Sequence, residues 1–176
     1  MKITETGFEG LVLLEPRIFK DERGYFFETF KESLFRELGL PSVFLQDNCS
    51  QSKQGVLRGL HYQEPNPQGK LVRVGRGRVW DCVVDIRRSS ETFGRHFGVE
   101  LNDENNLMMY VPEGFAHGFC VLSETADFIY KCTNLYSPKD EKGLLWNDPD
   151  LKIEWPVKNP IVSAKDQALP RLCDLR

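Results

Sequence analysis

The stretch Lys70-Leu71-Val72-Arg73-Val74-Gly75-Arg76-Gly77-Arg78-Val79-Trp80-Asp81-Cys82-Val83-Val84-Asp85-Ile86 decides the fold class. Two runs rich in β-branched residues flank a Gly-Arg-Gly turn, which predicts strands over 70–74 and 78–86 joined as a tight hairpin. Successive side chains of a strand point to opposite faces. Lys70 therefore shares a face with Val72 and Val74, and Asp81 and Asp85 share one with Val79 and Val83. A charge on an apolar face is costly unless it has a partner or a task. These strands thus predict an interior in which titratable groups are put to use.

Working outward, the same short-strand pattern recurs at 11–14, 43–46, 56–63, 98–101, 107–111, 119–122 and 127–133, with an aromatic run at 25–30 after the turn Asp21-Glu22-Arg23-Gly24. Tyr130 shares its face with Phe128 and Cys132. One segment, 31–38, reads as a helix, with Leu34, Phe35 and Leu38 on one side and Gly39 then Pro41 as stops. Many short strands with few helices predict an all-β sandwich or closed barrel, and a jelly-roll barrel binds ligands at an open end. The length of 176 residues suits one domain spanning 1–176. The longest polar stretches, 50–55 and 64–69, are too short to be linkers.

Composition excludes several classes. The net charge of −3, with acids and bases intermixed, argues against a nucleic-acid partner. The start Met1-Lys2-Ile3-Thr4-Glu5 has no apolar run of a signal peptide, and nothing reaches the length of a membrane span. The five cysteines are odd in number and lack CxxC spacing, so they read as buried free thiols in a reducing cytoplasm. No P-loop, GxGxxG fingerprint or GxSxG elbow is present, which leaves phosphoryl transfer, nicotinamide chemistry and serine-nucleophile catalysis without support.

Three histidines remain: His61, His96 and His117. A metal-binding cupin barrel needs a His-x-His pair, but here Gly59-Leu60-His61-Tyr62-Gln63 lacks the second histidine, so no metal is expected. Pro112-Glu113-Gly114-Phe115-Ala116-His117 does have a cupin-like turn leading to a histidine. A lone strand histidine is most often a satisfied core residue. His61 has Arg58 three positions earlier and Lys70 at the start of the next strand, a setting that suits a base acting on an acidified carbon. Simple alternation puts Arg58 and His61 on opposite faces, so a bulge or bend at Gly59 is predicted if both serve one pocket. His96 reads as structural or exposed, and Arg87 and Arg88 as solvated.

Taken in order, Asp21-Glu22-Arg23-Gly24, Gln46-Asp47-Asn48, Arg58-Gly59-Leu60-His61-Tyr62-Gln63, Gln68-Gly69-Lys70-Leu71-Val72, Val84-Asp85-Ile86-Arg87, Pro112-Glu113-Gly114-Phe115-Ala116-His117-Gly118-Phe119, Tyr130-Lys131 and Ser163-x-Lys165-Asp166 resemble the dTDP-4-dehydrorhamnose 3,5-epimerase family. The similarity runs from about residue 13 to 170, with Cys49 a local departure. It implies a cupin-type jelly roll working without metal or cofactor. The implied substrate is the dTDP-linked 4-keto sugar dTDP-4-dehydro-6-deoxy-D-glucose, inverted at carbons 3 and 5 on the way to dTDP-rhamnose. It further implies a homodimer with exchanged N-terminal strands, in which Arg23 and Glu28 complete the partner's nucleotide pocket. By the same resemblance His61 is the base, oriented by Asp166. Tyr130 is the acid on the far face of the sugar, and Lys70 stabilises the enolate. Arg58, His117 and Lys165 bind the anionic substrate, while Gln46, Asp47, Asn48 and Glu141 line the pocket. The chemistry asks for these types: a ketone acidifies its neighbouring carbons, the enolate oxygen needs a cation or donor in place, and inversion needs groups on both faces. A one-carbon epimerase, a non-catalytic nucleotide-sugar binding module and a metal-dependent cupin oxygenase are the alternatives. The absent His-x-His speaks against the last.

Overall fold

The computed structural model describes residues 1–175; Arg176, the end of the expected single domain, lies outside them. In chain order the elements are β1 (Lys2–Glu5), β2 (Val12–Glu15), β3 (Phe19–Asp21), β4 (Gly24–Phe26), α1 (Glu32–Glu37), β5 (Gln46–Lys53), β6 (Val56–Gln63), β7 (Lys70–Arg76), β8 (Arg78–Asp85), β9 (His96–Asn102), β10 (Met108–Val111), β11 (Phe115–Val121), β12 (Thr125–Cys132), β13 (Glu141–Gly143), β14 (Ile161–Val162) and α2 (Ala164–Gln167). One sheet has the order β1-β2-β10-β7-β12-β5 and the other β13-β6-β11-β8-β9, with β14 beside β6. From β5 to β12 the chain changes sheet at every step but one, the β8–β9 hairpin. That alternation is the predicted jelly roll, with two short helices.

Gly75-Arg76-Gly77 is not a hairpin. β7 pairs with β10 and β12, whereas β8 pairs with β11 and β9. Gly77, at φ +82°, takes the chain from one sheet to the other, its N–H donating to Asp103 at 2.8 Å. A Gly-x-Gly turn has the same composition whether the next strand folds back or crosses to the facing sheet, so the local sequence does not separate the two.

Other expectations shift as well. β5 occupies polar residues that read as loop, because it is an edge strand paired only with β12, and its alternate residues are exposed. β11 begins at Phe115 rather than 119, so His117 sits within the strand. Helix α1 ends in a Schellman arrangement: the Leu40 N–H donates to the Phe35 carbonyl at 2.9 Å, and Gly39 takes φ +71°. It lays Phe35 on the outer face of the first sheet with Leu14, Leu71 and Met108. Every residue of β11 is buried because its inner face meets the core and its outer face lies under the C-terminal segment carrying Leu144 and Leu151.

The core between the sheets holds Val72, Val74, Val79, Val83, Phe119, Val121 and Phe128. Phe119 and Phe128 stack across it with centroids 4.2 Å apart. Along the first sheet this core gives way to polar residues in register: Ser50–Phe128–Val74, then Asn48–Tyr130–Val72, then Gln46–Cys132–Lys70. No helix of the described residues is long and apolar enough to cross a membrane.

Candidate active site

Where the apolar rows end, a cavity of about 250 Å3 opens, lined by Gln46, Asn48, His61, Gln63, Gln68, Lys70, Tyr130, Cys132, Tyr136 and Glu141. β5, β7 and β12 form one wall, while β6 and β13 form the other. His61 reaches it through the irregularity expected at Gly59. On β11 two positions, His117 and Phe119, oppose His61 and Arg58, which lie three apart on β6. Gly59 has φ +127°, a conformation disfavoured for residues with a Cβ. The parity reset lets Arg58 and His61 border one second, more open cavity of about 420 Å3, with Lys165 and Asp166. His61 and Glu141 line both spaces.

The His61 Nε2 lies 2.7 Å from Asp166 Oδ1, and the other oxygen of Asp166 accepts the Gly59 N–H at 3.2 Å. Asp166 is held in the short helix α2, whose cap Ser163 accepts the Asp166 N–H at 3.1 Å. Burial opposes ionisation of Asp166, but the His61 hydrogen bond and charge and the Gly59 N–H outweigh it, leaving the carboxyl below its ordinary value. The bond through Nε2 leaves Nδ1 of His61 as the ring nitrogen available to a substrate.

On the facing wall, the Lys70 ammonium makes no ion pair or hydrogen bond among the described residues. Enclosure pushes its pKa below the ordinary lysine value, with the nearby thiol of Cys132 and the carboxylates of Asp81 and Glu141 opposing the shift. Tyr130 is raised above an ordinary tyrosine, by burial first, so its phenol is a proton-bearing group at neutral pH. At the mouth, Glu141 accepts from Lys165 Nζ at 2.6 Å and from the Tyr136 hydroxyl at 2.5 Å. Arg58 Nε donates to Ser52 Oγ at 3.0 Å and so spans from β6 to β5 at the pocket edge.

Asp47 and His117 lie outside this cavity, and so do Arg23 and Glu28, which are expected at a partner's pocket rather than this chain's own. Asp47 points to the outer face of β5 and pairs with Lys131 at 2.6 Å, because alternation turns it away from its neighbours Gln46 and Asn48. His117 lies within the core, 7% exposed, with Nε2 2.9 and 3.0 Å from the two oxygens of the fully buried Asp81. Arg23 and Glu28 are exposed on and after the β3–β4 hairpin and pair locally with Asp21 and Lys31. Two smaller expectations need correction. Arg87 is not solvated: it binds Asp85 through Nε and a terminal nitrogen at 2.9 and 2.8 Å and lies over the Phe115 ring. That ties Asp85, with Ser90 and Thr92, into a loop anchor rather than the pocket. Of the free cysteines, Cys49 and Cys173 are exposed. His96 is structural, its Nδ1 3.0 Å from the Leu151 carbonyl.

Tyr62, Gln63, Gln68, Cys132 and Tyr136 also line the pocket, though none is an expected site residue. Cys132 was detectable, since it shares the inward face of Tyr130. Tyr136 and Gln68 sit in loops, where no periodicity assigns a direction. Among the described residues no cluster of three His, Cys, Asp or Glu side chains could hold a metal ion.

The family model described as dTDP-4-dehydrorhamnose 3,5-epimerase matches residues 5–174. The chain belongs to that family. A relative from Shigella flexneri named dTDP-4-dehydrorhamnose 3,5-epimerase is 53% identical over 168 residues, covering 94% of this chain and 93% of its own. The crystal structure of dTDP-4-dehydrorhamnose 3,5-epimerase from Elizabethkingia anophelis superposes with TM-score 0.95 at 51% identity, covering 99% and 98% of the two chains. The enzyme from Legionella pneumophila, solved in complex with dTDP-4-keto-L-rhamnose, gives TM-score 0.96 at 47% identity, covering 99% and 94%.

Proposed function

We propose that this chain is a single epimerase domain that inverts carbons 3 and 5 of dTDP-4-dehydro-6-deoxy-D-glucose, giving dTDP-4-dehydro-L-rhamnose without a metal or organic cofactor. The observation that carries the mechanism is the pairing of His61, held by Asp166 at 2.7 Å, with Tyr130 on the opposite wall of one pocket that Lys70 also lines. His61 removes the proton from a carbon next to the ketone. The electron pair moves onto the carbonyl oxygen, and the Lys70 ammonium stabilises the enolate. Tyr130 delivers a proton to the opposite face, which inverts the carbon, and both residues then reset through solvent. The ketone is itself the electron sink.

Arg58 and Lys165, beside His61 in the more open cavity, suit the diphosphate of the nucleotide. Gln46, Asn48 and Glu141 suit the sugar and base. His117 acts from behind the pocket through its pair with Asp81. Two copies form a homodimer. The β3–β4 hairpin exposes Phe19, Tyr25 and Phe26 at 50%, 55% and 65%, and a second copy covers them and brings Arg23 and Glu28 to its pocket. Light scattering should give twice the chain mass. The reaction takes place in the cytoplasm.

The test of the reaction is an NMR assay with the dTDP-linked keto sugar in deuterated water. Label entering carbons 3 and 5 with inversion at both is the expected result. Label and inversion at one carbon alone would make it a one-carbon epimerase, and no label at either would leave a binding module.

A further inference from the structure

We propose that Gly118, on β11 behind the pocket, is a positioning residue for the His61–Asp166 pair. A backbone contact, as well as the Asp166 side chain, places the base. The role rests on His61 being the base. Gly118 lies against the irregular part of β6. A Cβ on it would stand 2.6 Å from the Arg58 carbonyl oxygen, 3.1 Å from the Gly59 Cα and 3.2 Å from a Leu60 methyl. The fit is reciprocal, since a Cβ on Gly59 would meet the Gly118 Cα at 2.5 Å and the His117 carbonyl oxygen at 2.9 Å. Two glycines of neighbouring strands therefore touch backbone to backbone at the one place where the β6–β11 register slips.

Three features of the base depend on that contact. The slip sets the parity that brings His61 to the same side as Arg58. Gly59, in its positive-φ conformation, aims its N–H at one oxygen of Asp166 at 3.2 Å. The other oxygen of Asp166 meets His61 Nε2 at 2.7 Å. The closest contacts of a side chain at 118 would be backbone, the Arg58 carbonyl oxygen at 2.6 Å and the Gly59 Cα at 3.1 Å, so the Arg58–Gly59 segment must move. The Gly59 N–H, the carboxylate and the imidazole then move with it. The effect falls on proton abstraction, because Lys70 and Tyr130 stand on the other sheet.

The experiment compares Gly118→Ala with Gly98→Ala. The second variant crowds the Trp80 ring and leaves the β6 slip untouched. For folded Gly118→Ala protein we expect kcat and deuterium uptake at both carbons to fall together by about 10²-fold, within the range of general-base catalysis, with KM changed less than about threefold. The imidazole N–H signal of His61 in proton–nitrogen NMR should shift from its wild-type position. Adding Asp166→Asn to Gly118→Ala should cost little beyond Asp166→Asn alone, because both act through one pair. Equal activity loss in the two glycine variants, or a Gly118→Ala enzyme with wild-type kcat, overturns the proposal. If Gly118→Ala does not fold, Asp166→Asn with both glycines intact decides. The Gly59 and Gly118 amide signals should both shift in the Asp166→Asn variant, and unmoved signals count against the coupling. His61→Ala separates the two levels. If it still takes up deuterium, the base assignment itself fails; if it is silent while Gly118→Ala is normal, only the role of Gly118 fails.

Discussion

Two histidine–aspartate pairs stand on neighbouring strands, and they differ in access rather than in chemistry. His61 and His117 face each other in the β6–β11 register. Each places Nε2 within 3.0 Å of a carboxylate, Asp166 and Asp81 respectively. The His61 side chain is 31% exposed and its carboxylate comes from α2, beyond the barrel wall, whereas the His117 side chain is 7% exposed and its carboxylate belongs to the adjacent strand β8. On the proposed mechanism the same pair of side chains serves as a reactive group where the pocket opens and as a tie inside the core where it does not. The two fall in one row of the second sheet, so what differs is the strand: β6 borders the open cavity together with β13, while β11 lies between β6 and β8.

The sharpest way to break this comparison is to remove each imidazole. His61→Ala should abolish product and solvent deuterium uptake, a loss of about 10²–10⁴-fold, the range for a general base. Tyr130→Phe should differ in kind, because its base remains. Deuterium should still enter with the original configuration retained, read by NMR of recovered substrate. Rapid deuterium uptake by His61→Ala would assign the base elsewhere.

The carboxylates give the next contrast. Asp81→Ala leaves the buried His117 without its partner and should cost about 1–3 kcal/mol in urea unfolding. Asp166→Asn should lower kcat more than it lowers stability. Equal stability losses in the two variants would show that both pairs are structural.

A smaller effect separates the pairs by pH. The Asp166 pKa is lowered in the folded state, so its contribution to stability is present above the ordinary aspartate value. It is lost as pH falls through the folded one. The stability gap between wild type and Asp166→Asn should therefore narrow below about pH 4. On the alkaline side, Lys70 is lowered and Tyr130 raised. Activity should decline at a pH below the ordinary lysine range of about 10.4, with Lys70 rather than Tyr130 as the cause. A decline that persists unshifted in Lys70→Arg would contradict that assignment.

Strand parity made much of this site legible. Lys70 and Tyr130 were read as inward from alternation with valine and phenylalanine, and both line the pocket. Alternation also demanded an irregularity at Gly59, which the β6–β11 register contains. Parity failed where the expectation came from a contiguous motif: Gln46-Asp47-Asn48 reads as one unit, yet a strand turns its middle residue outward. It was silent on depth, so His117 was expected at the substrate and lies in the core. The polar strand β5 escaped notice because an edge strand needs no apolar face, and the turn at Gly77 looked like a hairpin because turn residues encode a bend and not a destination.

The sheet-to-sheet crossing at Gly77, repeated at nearly every connection, has a consequence for how the pocket comes into being. Each wall draws on strands far apart in the chain, as in the row that joins Gln46, Cys132 and Lys70. No early fragment contains a wall, so the cavity forms only when the barrel closes, and topologies of this non-local kind fold slowly. A ligand that recognises the finished cavity has nothing to grip before then. It should raise the melting temperature by mass action and slow unfolding, while leaving the rate of refolding unchanged.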